Sequence, residues 1–176
     1  NLAVAYDKVG QVDKAIEAYK ASITRHNDNT LAYTNLGTIY HEQGLYDMAI
    51  EAYKQALTNN PYFPLSHNNL GNTYERIGDS EKALAEYREA LKIDDTYADA
   101  HNNLGAVDLK KGIPDKALVE FQKAAQLNPD HRDAHYNLGI AYAGKGLYVE
   151  AIHELNLAIK YNPTDYSAYR DLGILY

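Results

Sequence analysis

The sequence repeats itself at a fixed interval of 34 residues, and that interval leaves few ways to fold. A Leu-Gly pair stands at Leu36-Gly37, Leu70-Gly71, Leu104-Gly105, Leu138-Gly139 and Leu172-Gly173. Ala49, Ala83, Ala117 and Ala151 keep the same spacing, as do Tyr53, Tyr87, Phe121 and Leu155, and again Ala56, Ala90, Ala124 and Ala158. Pro61, Pro129 and Pro163 form a further register, with Asp95 in the vacant place. Upstream, Ala3, Ala15, Tyr19 and Ser22 extend the pattern into a shortened first repeat. Self-similarity at this period marks stacked supersecondary units, each burying its apolar face only against its neighbours.

Inside one period the spacing is helical. Between Thr30 and Gln43, Tyr33, Leu36, Gly37 and Tyr40 fall at i, i+3, i+4 and i+7, which gives one packed face. Gly44 breaks that helix, and Ala49, Ile50, Tyr53, Ala56 and Leu57 mark a second. Pro61 cannot extend it, lacking an amide donor and clashing with the preceding turn. A glycine inside a helix costs about 1 kcal/mol against alanine, so its recurrence implies that two helices approach closely there. First helices are expected near 30–43, 64–77, 98–111, 132–145 and 166–176, and second helices near 46–59, 80–93, 114–127 and 148–161. The chain is therefore all-α, with about eleven helices. As domains, it reads as one array over 1–176: a partial repeat 1–29, full repeats 30–63, 64–97, 98–131 and 132–165, and a partial repeat 166–176. Starting and stopping inside repeats, it reads as an excerpt of a longer protein.

These registers resemble the tetratricopeptide repeat (TPR) family, and the resemblance covers the whole chain. It implies an α-solenoid of helix-turn-helix units wound into a right-handed superhelix, with first helices lining the concave side. It also implies a protein–protein interaction scaffold that binds a protein or peptide in that groove.

Composition narrows the alternatives. The formal net charge is −7 and the pI about 5.4, which argues against nucleic acid, whose binding relies on Lys and Arg neutralising phosphates. No apolar run approaches the ~18 residues of a membrane span, so direct membrane insertion is not expected. The absence of cysteine excludes disulfides, thiolate metal sites and a cysteine nucleophile. It leaves the compartment open, with a slight lean to the cytoplasm.

No catalytic motif is present: no phosphate-cradling glycine loop, no Gly-x-Ser-x-Gly elbow, no His-Glu-x-x-His helix. Asp79 and Glu81 sit at a helix start, where the macrodipole favours carboxylates. His67, His101 and His135 occupy equivalent places, but successive first helices lie ~8–10 Å apart, too far to share a zinc ion held at ~2.0–2.2 Å. They read as packing residues; His26, His41, His131 and His153 are given no role. The chain is expected to be no enzyme and to need no metal or cofactor. Tyr6, Tyr19, Tyr33, Tyr40, Tyr53, Tyr74, Tyr87, Tyr142, Tyr169 and Tyr176 stand where the repeat wants an aromatic and are expected in the core.

The informative feature is the residue before each Leu-Gly pair: Asn35, Asn69, Asn103 and Asn137, with Asn1 and Asp171 at the ends. Asparagine is a middling helix former, so its recurrence is not a propensity effect. One residue before the packed leucine turns it about 100° away, which in the family's fold is the concave side. Asn68 and Asn102 add a second amide in two repeats. One amide can pair with both the N–H and the C=O of a peptide unit. Rungs ~8–10 Å apart match about three residues of extended chain at ~3.3–3.6 Å each. These asparagines, with Tyr136 as an aromatic anchor, form the candidate peptide-binding site. The opposing reading is that the amides bridge helices or hold groove water.

The segments HNNLGNTY from His67 and HNNLGAV from His101 resemble the repeats of O-linked N-acetylglucosamine transferases, where such amides hold protein substrates. That makes a substrate-recognition arm of a larger enzyme, such as a peptide glycosyltransferase, one alternative; a module self-associating through uncapped ends is another. A clamp for free carboxylates is not expected. It needs cations four residues ahead of the ladder asparagines, where Leu31, Leu65, Asp99, Asp133 and Ser167 stand. Thr38, Asn72, Glu75, Arg76, Lys110 and Asp133 are expected to make the rest of the groove polar and mixed in sign. Asp108 replaces a core tyrosine, so 108–114, together with 144–147 around Gly144, is expected to be loose or open to solvent.

Overall fold

The computed structural model describes residues 2–25 and 29–176, so Asn1, the first expected rung, and His26 lie outside the described residues. The rest forms two compact units, Asn1–Ile93 and Asp94–Tyr176. The first contains α1 (Leu2–Lys8), α2 (Val12–Arg25), α3 (Thr30–Glu42), α4 (Tyr46–Asn59), α5 (Pro64–Arg76) and α6 (Ser80–Ile93). The second contains α7 (Ala98–Lys110), α8 (Pro114–Leu127), α9 (Arg132–Gly144), α10 (Tyr148–Tyr161) and α11 (Tyr166–Ile174). All regular structure among the described residues is helical. Within each unit the first helices pack on the second helices of their own repeats, and α3 also packs on α5 and α7 on α9.

Each pair is hinged by the same turn. Gly44 has φ 74°, left-handed backbone that a side chain would strain, and the Leu45 N–H closes back on the Tyr40 carbonyl at 2.8 Å. The bond recurs from Asp79 to Tyr74, Ile113 to Asp108 and Leu147 to Tyr142, each across a glycine of the same conformation. Connections between repeats are closed by a side chain instead. Asn60 Oδ1 accepts the Tyr62 N–H at 3.0 Å, and Asp94, Asn128 and Asn162 do the same for Thr96, Asp130 and Thr164.

The mid-helix glycines are notches. A Cβ on Gly37 would stand 2.7 Å from the Tyr53 ring, and Gly71, Gly105 and Gly139 are filled in the same way by Tyr87, Phe121 and Leu155. These four residues and the flanking alanines form the buried rows. Burial of each large side chain contributes roughly 1.5–3 kcal/mol.

Two expectations need correction. Tyr169 and Tyr176 are not core: they are 49% and 87% exposed, because α11 packs on α10 through its other side. Asp108 does not open to solvent; it is buried inside a regular α7, whose terminal turn matches those of the other repeats. The helix α9 ends at Gly144, and 144–147 are exposed, as expected of that stretch.

The equivalent histidines do more than pack. His67 Nδ1 lies 2.7 Å from Glu86 Oε2 and its Nε2 lies 3.1 Å from the Pro61 carbonyl. His101 repeats this with Glu120 and the Asp95 carbonyl, and His135 with Glu154 and the Pro129 carbonyl, at 2.6–3.0 Å. Each ties a first helix to its second helix and to the turn before it. A carbonyl only accepts, so at His67 Nε2 carries a hydrogen, and a further proton lies between Nδ1 and the Glu86 carboxylate. Burial disfavours charge on His67, but the bonds to Glu86 and Pro61 and the charges of Glu86 and Glu89 outweigh it and raise its pKa.

Candidate functional site

Asn35 and Asn69 lie on α3 and α5 of the first unit, and Asn103 and Asn137 on α7 and α9 of the second. All four are half-buried, each one position ahead of a buried leucine. In the first unit Asn35 Nδ2 donates to Tyr19 Oη at 3.1 Å, and Asn69 Nδ2 donates to Thr38 Oγ1 at 3.3 Å. In the second, Asn137 Nδ2 donates to Asn102 Oδ1 at 2.9 Å. The structure thus brings these amides onto one face of the first helices within each unit and ties Asn35, Asn69 and Asn137 to neighbouring repeats.

Asn68 and Asn102 take a different place from their neighbours. Both are buried, turned by their one-residue offset into the contact between first helices, and each donates weakly to the next amide, at 3.5 Å. They form an underlayer, not a contact surface. Tyr136 is half-buried and its hydroxyl donates to Asp171 at 2.7 Å. Burial, then the bond and charge of Asp171, push that phenol up to about 12. Asp171 also accepts from Arg170 at 2.8 Å, and that bond is the main reason its carboxyl titrates below the usual range.

Around the amides, Asp99 meets His131 at 3.0 Å, and Asp133 meets Arg132 at 2.8 Å. The carboxylates in the clamp slots are therefore already paired. Beneath the row, α3 and α5 are joined by a buried hydroxyl pair, Thr34 with Ser66 at 2.7 Å, and by His41 with Thr73 at 2.9 Å. Sequence reasoning missed the phenols under the amides and the glutamates beside the histidines. Glu86, Glu120 and Glu154 carry their own 34-residue register, which was the available signal. Among the described residues no His, Asp or Glu cluster is arranged to hold a metal ion, and no helix is long and apolar enough to cross a membrane.

Family models described as TPR or tetratricopeptide repeat match residues 1–30, 18–51, 37–78, 77–112 and 108–173. The chain belongs to the tetratricopeptide repeat family. This TPR chain is similar to the crystal structure of MamA, with 28% identity, TM-score 0.76, and coverage of 95% of this chain and 98% of that one. It is similar to a TPR protein from Parabacteroides merdae at 25% identity and TM-score 0.78, covering 99% and 69% of the two chains. It also shares its fold with YrrB, described as a TPR protein with an unusual peptide-binding site, at 24% identity, TM-score 0.70 and coverage of 97% and 88%. No curated protein sequence matched significantly. As a TPR array, the chain is a protein-interaction scaffold.

Proposed function

We propose that this TPR chain holds an extended segment of another polypeptide along the asparagine-bearing faces of its first helices, pairing with the segment's main chain. The observation that carries this reading is the anchoring of the amides. Asn35, Asn69 and Asn137 are each fixed by one donor bond while half-buried. An amide has two N–H donors and an oxygen with two lone pairs, so one such bond orients the group without exhausting it. Pre-orientation lowers the entropy lost on binding. Main-chain pairing tolerates many ligand sequences, which suits a face with few unpaired charges. The peptide site described for YrrB is that protein's own, and at this identity the likeness is one of fold.

The test is the triple replacement of Asn69, Asn103 and Asn137 by Ala. Its probe is a dodecapeptide selected on the unaltered chain from a random library. Affinity is expected to fall by about tenfold to a hundredfold, since each neutral hydrogen bond contributes about 0.5–1.5 kcal/mol. Lost thermal stability with unchanged affinity would assign the amides to bridging helices and end the proposal. A second reading, self-association, rests on the α11 face, where Tyr169, Ile174 and Tyr176 are exposed. Light scattering that stays monomeric up to high concentration would remove it.

A further inference from the structure

We propose that the buried phenols of Tyr19 and Tyr53 are positioning groups that hold Asn35 and Asn69 in the orientation that pairs with a peptide main chain; this rests on the function proposed above. Because Gly37 has no side chain, the Tyr53 ring lies across its backbone, and the hydroxyl reaches the next residue of α3, donating to Thr38 Oγ1 at 3.3 Å. Asn69 donates to that same Thr38 oxygen from the following repeat. One repeat earlier, Tyr19 Oη accepts directly from Asn35. One repeat later, Tyr87 donates to Asn72 Oδ1 at 2.8 Å. Three times in the first unit, a phenol from a second helix meets a polar side chain on the asparagine face.

Packing alone does not account for these hydroxyls. A phenylalanine ring fills the same space, and the hydroxyl of a residue that is 1% exposed, as Tyr19 and Tyr53 are, is costly unless bonded. The second unit shows the alternative. Phe121 and Leu155 occupy the place of Tyr53 and Tyr87, and the residues equivalent to Thr38 and Asn72 are Ala106 and Ile140. From α4 to α10 hydroxyl and partner are present or absent together, Tyr with Thr or Asn, Phe with Ala, Leu with Ile; in the first repeat Val4 holds the partner's place and Tyr19 bonds Asn35 of the next repeat instead. In the second unit Asn137 is tied to the amide of Asn102 in the preceding repeat. Burial pushes the Tyr53 phenol up to about 12, so it keeps its proton at any ordinary pH.

The difference assigns a ligand chemistry to each unit. Beside Asn35 and Asn69 the surface is polar, and ligand residues there are read through their main chain. Beside Asn103 and Asn137, Ala106 and Ile140 offer apolar surface, and ligand residues there gain from apolar side chains.

The experiment uses the full chain carrying Tyr19→Phe and Tyr53→Phe. Phe121 shows that the notch accepts phenylalanine, and circular dichroism verifies the fold. Without any ligand, NMR follows solvent exchange of the Nδ2 protons. Those of Asn35, which loses its acceptor, are expected to exchange about tenfold faster, the scale of one lost neutral hydrogen bond; those of Asn69, whose bond to Thr38 remains but loses its support from Tyr53, exchange faster by a smaller factor, and those of Asn137 are unchanged. Equal exchange in both proteins overturns the proposal whatever a ligand does. The second measurement uses the selected dodecapeptide and its backbone-ester analogues, each lacking one N–H. The unaltered chain is expected to lose affinity for particular esters, and the variant to bind about tenfold weaker and stop distinguishing them. Unchanged affinity and unchanged ester discrimination also overturn it. If no peptide is recovered on the unaltered chain, peptide holding itself fails, and proton exchange still decides whether the tyrosines orient the amides.

Discussion

At Gly71 an added Cβ falls 2.5 Å from the Tyr87 ring, whereas at Gly173 nothing stands within 4 Å. Both glycines belong to the same sequence register, and both are helical. Gly71→Ala forces the two helices apart and is expected to destabilise by about 1–3 kcal/mol, as overpacked cores do. Gly173→Ala meets no obstacle, gains up to about 1 kcal/mol of helix propensity, and is expected to be neutral or stabilising. Urea denaturation of the two variants checks the contrast; equal losses would mean that the register, not the notch, demands glycine. The amides show the same dependence on surroundings. Asn68 and Asn69 are adjacent and chemically identical, yet one is interior and the other reaches solvent. Periodicity located both, but burial depends on the first helix of the neighbouring repeat, which a single helical wheel does not contain.

The helices themselves were legible because every apolar register is local: a leucine meets its partners within its own repeat or the next. The links that were not legible cross between helices. His67 lies 19 residues from Glu86, a separation without meaning until α5 and α6 are laid side by side. From α6 the ring faces Glu86 and Glu89, the latter paired with Lys92, and from the preceding turn the Pro61 carbonyl. Its pKa is raised in the fold, so its contribution to stability is complete below about 6.5, the unfolded value, and is lost as pH rises through the folded value. The melting temperature is therefore expected to fall as pH rises above about 6.5, as the proton bridging ring and carboxylate leaves. His67→Gln should flatten that fall, as seen by thermal melts at several pH values. A variant with the unaltered slope would show that His67 does not carry the proton. The buried Asp108 has a different lesson: a carboxylate in a tyrosine's register did not disturb the helix, because the turn that ends α7 is set by its glycine and backbone bonds.

On the scale of the molecule, stability in such a stack is a sum over repeats and their shared faces. Phe121 is fully buried in a cluster with Ala117, Leu118, Leu138 and Ala141, all in the second unit. Phe121→Ala is expected to remove about 3–5 kcal/mol. The loss should appear by hydrogen exchange in α7, α8 and α9, with α3 to α5 still protected. Uniform loss of protection would instead show the chain unfolding as one body. All-α class and repeat architecture followed from sequence; the allocation of the array to two compact units did not, since the 34-residue registers run through the boundary at Ile93 without a break. The turns have one more consequence. The glycine turn at 40–45 and the asparagine turn at 60–62 are each closed by bonds between residues of a single repeat. A 34-residue cassette therefore carries both of its own joints, and duplication or excision in register can lengthen or shorten the array without leaving any connection to be reinvented.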